Sequence, residues 1–228
     1  MTRNPCILTI FVLLLAATAG QFAQPAAAAE WSAGVQLGYR GGFGLGGQGA
    51  VRDLSPGLPL GLRAGIGYTS VDPGNAADAR RIFINDATNG TPEQSGRYWD
   101  FRFDLTYDLQ RSPLSWLLVY AGPRYMDFTA NFKFIGGNED FDIVSDGWGV
   151  GAGVEVGFGI GKSWSLLFTG GVDYFPKSTL KGHDTAYSPD GENVNPRNDY
   201  TYDDADGAVN QPHIEPLLMM GVSLGFGP

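Results

Sequence analysis

The sequence is poor in cysteine, in charge and in long apolar runs. Its one cysteine, Cys6, lies near the N-terminus, so residues 30–228 have no thiol. Disulfides, zinc-thiolate sites and cysteine nucleophiles are therefore excluded from that part of the chain. Only 17% of the residues are charged, and 24 Asp and Glu outnumber 15 Lys and Arg, for a net charge of -9. A nucleic-acid partner is not expected, because binding phosphates needs clustered cations.

The first residues have the composition of an export signal. Arg3 provides a short positive region, Ile7 to Ala17 form an apolar stretch, and Ala27 to Ala29 form a small-residue cleavage site. A transmembrane anchor would need roughly 20 apolar residues, and polar residues interrupt the run before that length. A second small-residue site at Ala17 to Ala19 leaves the cleavage position open.

We therefore expect residues 1–29 to be a signal peptide and residues 30–228 to form one domain. Gly accounts for 34 residues of the chain, which argues against long helices. We find no P-loop, cofactor motif or metal-ligand spacing, so neither a cofactor nor a metal centre is expected.

Beyond residue 30 the dominant pattern is strict alternation of apolar residues with glycine, polar or charged residues. This period of two is typical of β-strands. Six segments show it clearly: Trp31–Tyr39, Leu60–Tyr68, Tyr98–Leu109, Trp148–Ile160, Trp164–Tyr174 and Ile214–Phe226. Two further strands are predicted at Gly44–Leu54 and at Trp116–Phe128. The prediction is an all-β fold with eight antiparallel up-and-down strands.

The connections between these strands are of two kinds. Short turns are predicted at Ser55–Pro59, Gln110–Ser115 and Gly161–Ser163. At the other rim, the first connection (Gly41–Phe43) is short, and the other three are long polar loops: Asp72–Arg97, Gly136–Gly147 and Lys181–Pro212. Bacterial outer-membrane barrels have this asymmetry, with the short turns on the periplasmic side. With eight strands, both termini would be periplasmic.

Aromatic residues are predicted at both ends of the apolar faces, as expected at two membrane interfaces. The short-turn rim would have Trp31, Tyr107, Phe158, Trp164 and Phe226, and the long-loop rim Tyr39, Tyr68, Trp99, Trp148 and Tyr174. The alternative is a soluble β-protein that buries the apolar face inside. We expect the transmembrane arrangement, with the apolar faces towards lipid.

With this pattern the chain resembles the small eight-stranded outer-membrane barrels, the superfamily of the OmpA transmembrane domain, OmpX and OmpW. Four alternating residues of the last strand look like the assembly signal of that superfamily: Met220, Val222, Leu224 and Phe226. The resemblance implies an integral outer-membrane protein in contact with lipid and lipopolysaccharide, inserted by the barrel-assembly machinery. We expect a structural or surface-interaction role with external loops, and no enzymatic activity.

Charged residues in the inward phase predict ion pairs inside the barrel. Matching strands from their short-turn ends places Arg63 near Asp104 and Arg124 near Glu155. Each unpaired charge there would cost several kcal/mol. The expected lumen network consists of Arg63, Asp100, Arg102, Asp104, Arg124, Glu155, Asp173 and Glu215. It could serve as internal support or as a gate that exchanges partners.

A narrow channel for small or hydrophobic solutes is the second functional hypothesis. Inward glycines leave space along one wall, and part of the interior is apolar: Leu118, Met126, Leu167, Leu217 and Met219. The alternative is that small residues face large ones to fill the interior.

An enzyme that modifies lipid A is a third, weaker hypothesis. His213 and Glu215 share the inward phase at the outer end of the last strand, with Asp173 at a similar height. Candidate nucleophiles for His183 or His213 are Ser178 and Ser188. No serine shares the inward face of the strand at the height of His213, so hydrolysis is not favoured.

The last long loop is acidic and could attract divalent cations. It contains Asp199, Asp203, Asp204 and Asp206, interleaved with Tyr200 and Tyr202. The spacing does not fit an EF-hand, so a solvated acidic loop is the simpler interpretation.

Overall fold

A computed structural model of the protein describes residues 29–54, 58–109 and 114–226. The predicted signal peptide lies almost wholly outside this range, as do parts of two predicted turns. The strands are β1 (Glu30–Arg40), β2 (Phe43–Arg52), β3 (Leu60–Val71), β4 (Thr91–Asp108), β5 (Trp116–Ile135), β6 (Asp140–Gly159), β7 (Trp164–Tyr174), β8 (Leu180–Lys181), β9 (Ala186–Tyr187) and β10 (Ile214–Phe226). Two short helices, α1 (Ala76–Phe83) and α2 (Tyr202–Ala208), lie between strands.

The eight long strands close into an antiparallel barrel. Each of the strands β1 to β6 pairs with the next in sequence, β7 pairs with β10, and β10 pairs with β1. The predicted eight-stranded up-and-down barrel is confirmed. Closure gives each of the eight long strands a hydrogen-bonded neighbour on both sides, so the barrel has no open edge, as a sheet in hydrocarbon requires. Neither described helix is long and apolar enough to cross a membrane.

The apolar residues of the alternating pattern face outwards. Phe101, Phe103 and Leu105 of β4 are each about half exposed, whereas Arg102 and Asp104 between them are buried. Aromatic rings end the apolar belt at both rims, and neighbouring rings contact each other, as Tyr125 and Trp148 do at 5.3 Å. From Trp148 to Phe158 along β6 the belt is about 25 Å high, for a rise of about 3.3 Å per residue and a tilt of about 40°. This height matches the apolar band of an outer-membrane barrel.

The prediction of long polar loops is wrong in one important respect. Strands β4, β5 and β6 continue beyond the outer aromatic girdle. Strands β4 and β6 extend into residues expected to be loop, and β5 extends past its predicted end at Phe128 to Ile135. On β4 the outward face changes from Trp99 to Arg97, Ser95 and Glu93, while the inward face stays buried as far as Gly96. Alternation therefore persists above the membrane, but its outward half becomes polar because it meets water.

Above the outer aromatic girdle, the inner faces of β5 and β6 support an apolar core. It is closed by α1, α2 and the segment after β7, and its buried side chains include Phe83, Phe128, Phe132, Ile143, Phe175, Leu180, Tyr187, Tyr202 and Ala205. We call residues 72–97, 127–147 and 175–213 the external domain. Asn75 caps α1 through its side chain, and Thr201 with Asp204 forms a capping box on α2. Capping of this kind stabilises short helices that packing alone barely holds.

Candidate functional site: the barrel lumen and its external cap

The lumen contains a continuous chain of buried ion pairs. Asp100 binds Arg40 and Arg102, and Asp173 binds Arg102 at 3.2 Å and Arg124 at 2.8 Å. Asp104 binds Arg124 at 2.6 Å and Arg63 at 2.7 Å, and Arg63 binds Glu155 at 2.8 Å. Four arginines therefore face four carboxylates, so the charges within this row of ion pairs cancel. None of these eight side chains is more than 6% exposed.

The ion pairs run across the lumen as well as along the barrel axis. Arg63 of β3 reaches Glu155 of β6, and Arg102 of β4 reaches Asp173 of β7. At the end of the network nearest the short-turn rim, neutral donors also bind Glu155, which accepts hydrogen bonds from Gln48 at 2.9 Å and Trp116 at 3.2 Å. Each carboxylate thus has several donors, which offsets the cost of removing it from water.

Glycines in the wall make room for these side chains. A Cβ at Gly67 would collide with Arg40 and Asp100, and one at Gly151 would collide with Asp173. Near the lower end, a Cβ at Gly157 would meet the ring of Trp116. The wall is therefore shaped for a filled interior, with small residues facing large ones. The predicted apolar interior residues are also buried: Leu118, Met126, Leu167, Leu217 and Met219.

The predicted ion pairs are present in part. Arg63 binds Asp104 as predicted, but the predicted pairing of Arg124 with Glu155 is wrong. The reason is that Arg124 turns towards Asp104 and Asp173, so Glu155 is left to Arg63 across the barrel. Strand heights predict neighbours along the barrel wall, whereas long side chains also make contacts across the lumen.

Two members of the network were also assigned incorrectly. Arg40, at the upper end of β1, was left out although the alternation places it inward with Gln36. Its phase could have identified it. Glu215 was included, but it accepts a hydrogen bond from the backbone N–H of His213 at 3.3 Å. Within the described residues, no ion pair joins it to the arginine chain.

Little space remains in the middle of the lumen. A cavity between Gln36, Arg40 and Arg63 has a volume of about 10 Å³, which is the size of one water molecule. Above it, Met126 and Phe175 belong to the external core that covers the outer mouth. Below it, an open depression of about 320 Å³ at the short-turn rim is lined by residues such as Arg52 and Lys162.

At the outer mouth, His213 joins the base of the external domain. Its Nε2 atom lies 3.1 Å from Asp206 of α2, which also lies 3.5 Å from Lys177. The hydrogen bond with Asp206 raises the pKa of His213, although partial burial opposes the shift. Burial favours the neutral form of Asp206, yet the hydrogen bond from His213 and the charge of Lys177 lower its pKa.

The acid-base candidates are not arranged for nucleophilic catalysis. Asp173 lies opposite Glu215 as predicted, but the ring of His213 contacts Asp206 instead of either. Ser178 accepts a hydrogen bond from Gln211 at 2.5 Å. The hydroxyl of Ser188 donates to Asp190 at 2.6 Å, and His183 is 78% exposed beside Asp184.

The acidic loop is a helix with engaged carboxylates. Asp203 binds Lys177 at 2.8 Å, Asp204 caps α2, and Asp206 binds His213. Among the residues that the structure describes, no group of three or more His, Cys, Asp or Glu side chains could hold a metal ion.

The closed barrel, its apolar belt and its filled lumen define an integral outer-membrane β-barrel protein of the small eight-stranded class. The chain matches no protein-family model, and no curated protein matches it. Among solved structures it is similar to a major outer membrane protein from Thermus thermophilus, at 25% identity and a TM-score of 0.71. That match covers 87% of this chain and 99% of the Thermus chain.

Two further solved outer-membrane proteins match with lower TM-scores. Neisserial surface protein A matches at 15% identity and a TM-score of 0.38, over 87% of this chain and 96% of its own. Ail, the attachment invasion locus protein of Yersinia pestis, matches at 10% identity and 0.39, over 87% of this chain and 97% of its own.

Proposed function

We propose that the protein is a non-enzymatic outer-membrane scaffold, closed to solutes, that displays a folded external domain at the cell surface. The observation that carries the proposal is the continuous neutral ion-pair chain beneath a separate apolar core. A channel would need a path past both, and the lumen cavity of about 10 Å³ has room for about one water molecule. The network then supports the barrel internally, and its role as a gate is the competing interpretation.

Conductance separates the two interpretations. The purified protein, with folding checked by heat-modifiable gel migration, is inserted into planar bilayers. We expect no stepwise current from the natural sequence. Sustained conductance would instead overturn the closed lumen and support the channel.

A matched pair of epitope insertions tests the display of the external domain. Asn138 lies in the exposed turn between β5 and β6, and Lys162 lies in the exposed turn between β6 and β7 at the other rim. We expect an antibody to bind the tag at Asn138 on intact cells, and the tag at Lys162 only after permeabilisation. The reverse result would invert the orientation and remove the external domain from the surface.

The absence of catalysis is proposed on the geometry around the two histidines. Among the described residues, no hydrogen bond joins either histidine to Ser178 or Ser188, whose hydroxyls have other partners. Lipid A from cells with and without the protein should have the same mass spectrum. A change in acyl chain number would overturn this part of the proposal.

The remaining partners follow from the barrel class. Residues 1–29 would direct export, and the outward residues Met220, Val222, Leu224 and Phe226 of β10 would present the signal to the barrel-assembly machinery. Lipid and lipopolysaccharide would contact the apolar belt and its outer rim. Divalent cations would act as diffuse counter-ions of the external carboxylates, since Asp203, Asp204 and Asp206 already have partners.

A further inference from the structure

One histidine joins the two ends of the external segment 175–213. Phe175 directly follows β7, and His213 directly precedes β10. The backbone N–H of Phe175 donates to the carbonyl of His213 at 2.7 Å. The His213 ring then extends this contact to α2 by way of Asp206. His213 therefore links the base of this long excursion to α2, beside the Lys177–Asp206 ion pair and the Gln211–Ser178 hydrogen bond.

Both ring nitrogens of His213 face oxygen atoms that can only accept. Nδ1 lies 3.4 Å from the carbonyl oxygen of Phe175, and Nε2 lies 3.1 and 3.3 Å from the two carboxylate oxygens of Asp206. A neutral imidazole has an N–H on one nitrogen only, so its other lone pair would face an oxygen. Both hydrogen bonds form together only when the ring is an imidazolium cation.

The charged groups around the ring favour that cation on balance. Asp206 of α2 faces it directly, and Glu215 of β10 accepts the hydrogen bond from its backbone N–H. Lys177, beyond β7, opposes the cation but is itself bound to Asp203 and Asp206. Asp173 of β7 is neutralised by its arginine partners. These contacts raise the pKa of His213, the bond with Asp206 being the largest cause.

We propose that His213 is a pH-dependent latch, which holds α2 on the barrel mouth when protonated and loosens it on losing the proton. Tyr202 and Ala205 of α2 are buried in the external core, so loosening the helix would uncover apolar surface. Because the pKa is raised in the closed state, the stabilisation is complete below the ordinary value of 6.5. It is lost as the pH rises through the raised value.

The chain suits a direct measurement, because it has only 2 histidines. A His183→Gln variant leaves His213 as the one remaining histidine and so assigns its ring signals. Ring ¹⁵N chemical shifts are followed in micelles across the neutral and mildly alkaline range. We expect both nitrogens of His213 to remain protonated above pH 6.5, the ordinary pKa of histidine. Titration of His213 at or below pH 6.5 would overturn the latch.

Hydrogen exchange measures the loosening itself. The backbone N–H of Ala205 donates to the carbonyl of Thr201, and that of Val209 donates to the carbonyl of Ala205, so the protection factors of these two amides report opening of α2. The opening constant should rise about tenfold for each pKa unit that separates closed from open states. In His213→Gln, whose amide does not titrate, this pH dependence should vanish. Equal pH dependence in both proteins, or none in the natural sequence, would refute the proposal.

Discussion

The substitution Arg63→Met tests the lumen network most directly. The Arg63 side chain is 1% exposed and donates to Asp104 at 2.7 and 3.0 Å and to Glu155 at 2.8 Å. Methionine has a similar length but no donor. In the variant Asp104 keeps Arg124 at 2.6 Å, whereas Glu155 keeps only neutral donors. Removing one partner of a buried pair costs about 3–5 kcal/mol, and we expect a loss of this size in the free energy of unfolding.

A second substitution separates the charge from the packing. In Arg63→Met/Glu155→Gln the isolated carboxylate is gone, and glutamine still accepts the bond from Trp116. The double variant should recover at least about 2 kcal/mol, leaving the loss of neutral hydrogen bonds and packing. As a control, Arg81→Met removes an ion pair of 3.5 Å from a side chain that is 51% exposed. We expect a change below about 1 kcal/mol there.

The measurement is equilibrium unfolding by urea in lipid vesicles, followed by tryptophan fluorescence and by heat-modifiable gel migration. The reasoning about an uncompensated charge would be refuted if Arg63→Met cost as little as the Arg81 control. The single variant Glu155→Gln is measured as well. The reasoning would equally fail if the destabilisation of the double variant were the sum of those of Arg63→Met and Glu155→Gln.

Four further substitutions, one of them a control, test other parts of the fold. Gly67→Ala, whose Cβ would collide with Arg40, should destabilise the barrel by about 1–3 kcal/mol in the same urea assay, whereas Gly170→Ala, with its nearest atom at 3.9 Å, should not. Phe103→Arg places a charge on the lipid-facing side and should cost about 2–4 kcal/mol, measured as a lower folded fraction on gels. Arg80→Met removes the 2.6 Å ion pair of α1 with the β5–β6 turn, so α1 amides should exchange faster while the gel shift of the barrel is unchanged.

Much of the barrel could be predicted because its pattern is local. In a strand, successive side chains point to opposite faces, so the alternation around Phe101 and Phe103 already separates the lipid face from the lumen. Strand number, order and the two aromatic girdles followed from the same periodicity and from the lengths of the turns. The inward phase of Arg63 and Asp104, on paired strands, was also enough to bring them together.

Sequence alone did not determine which charges meet across the lumen or what covers it. Arg124 binds Asp104 and Asp173, and Arg63 binds Glu155, because barrel closure brings non-adjacent strands within reach of long side chains. The external domain escaped prediction because its core is assembled from strand extensions and two short helices far apart in the chain. Local alternation specifies the face of each residue, whereas partners across a closed surface are decided only by the tertiary structure.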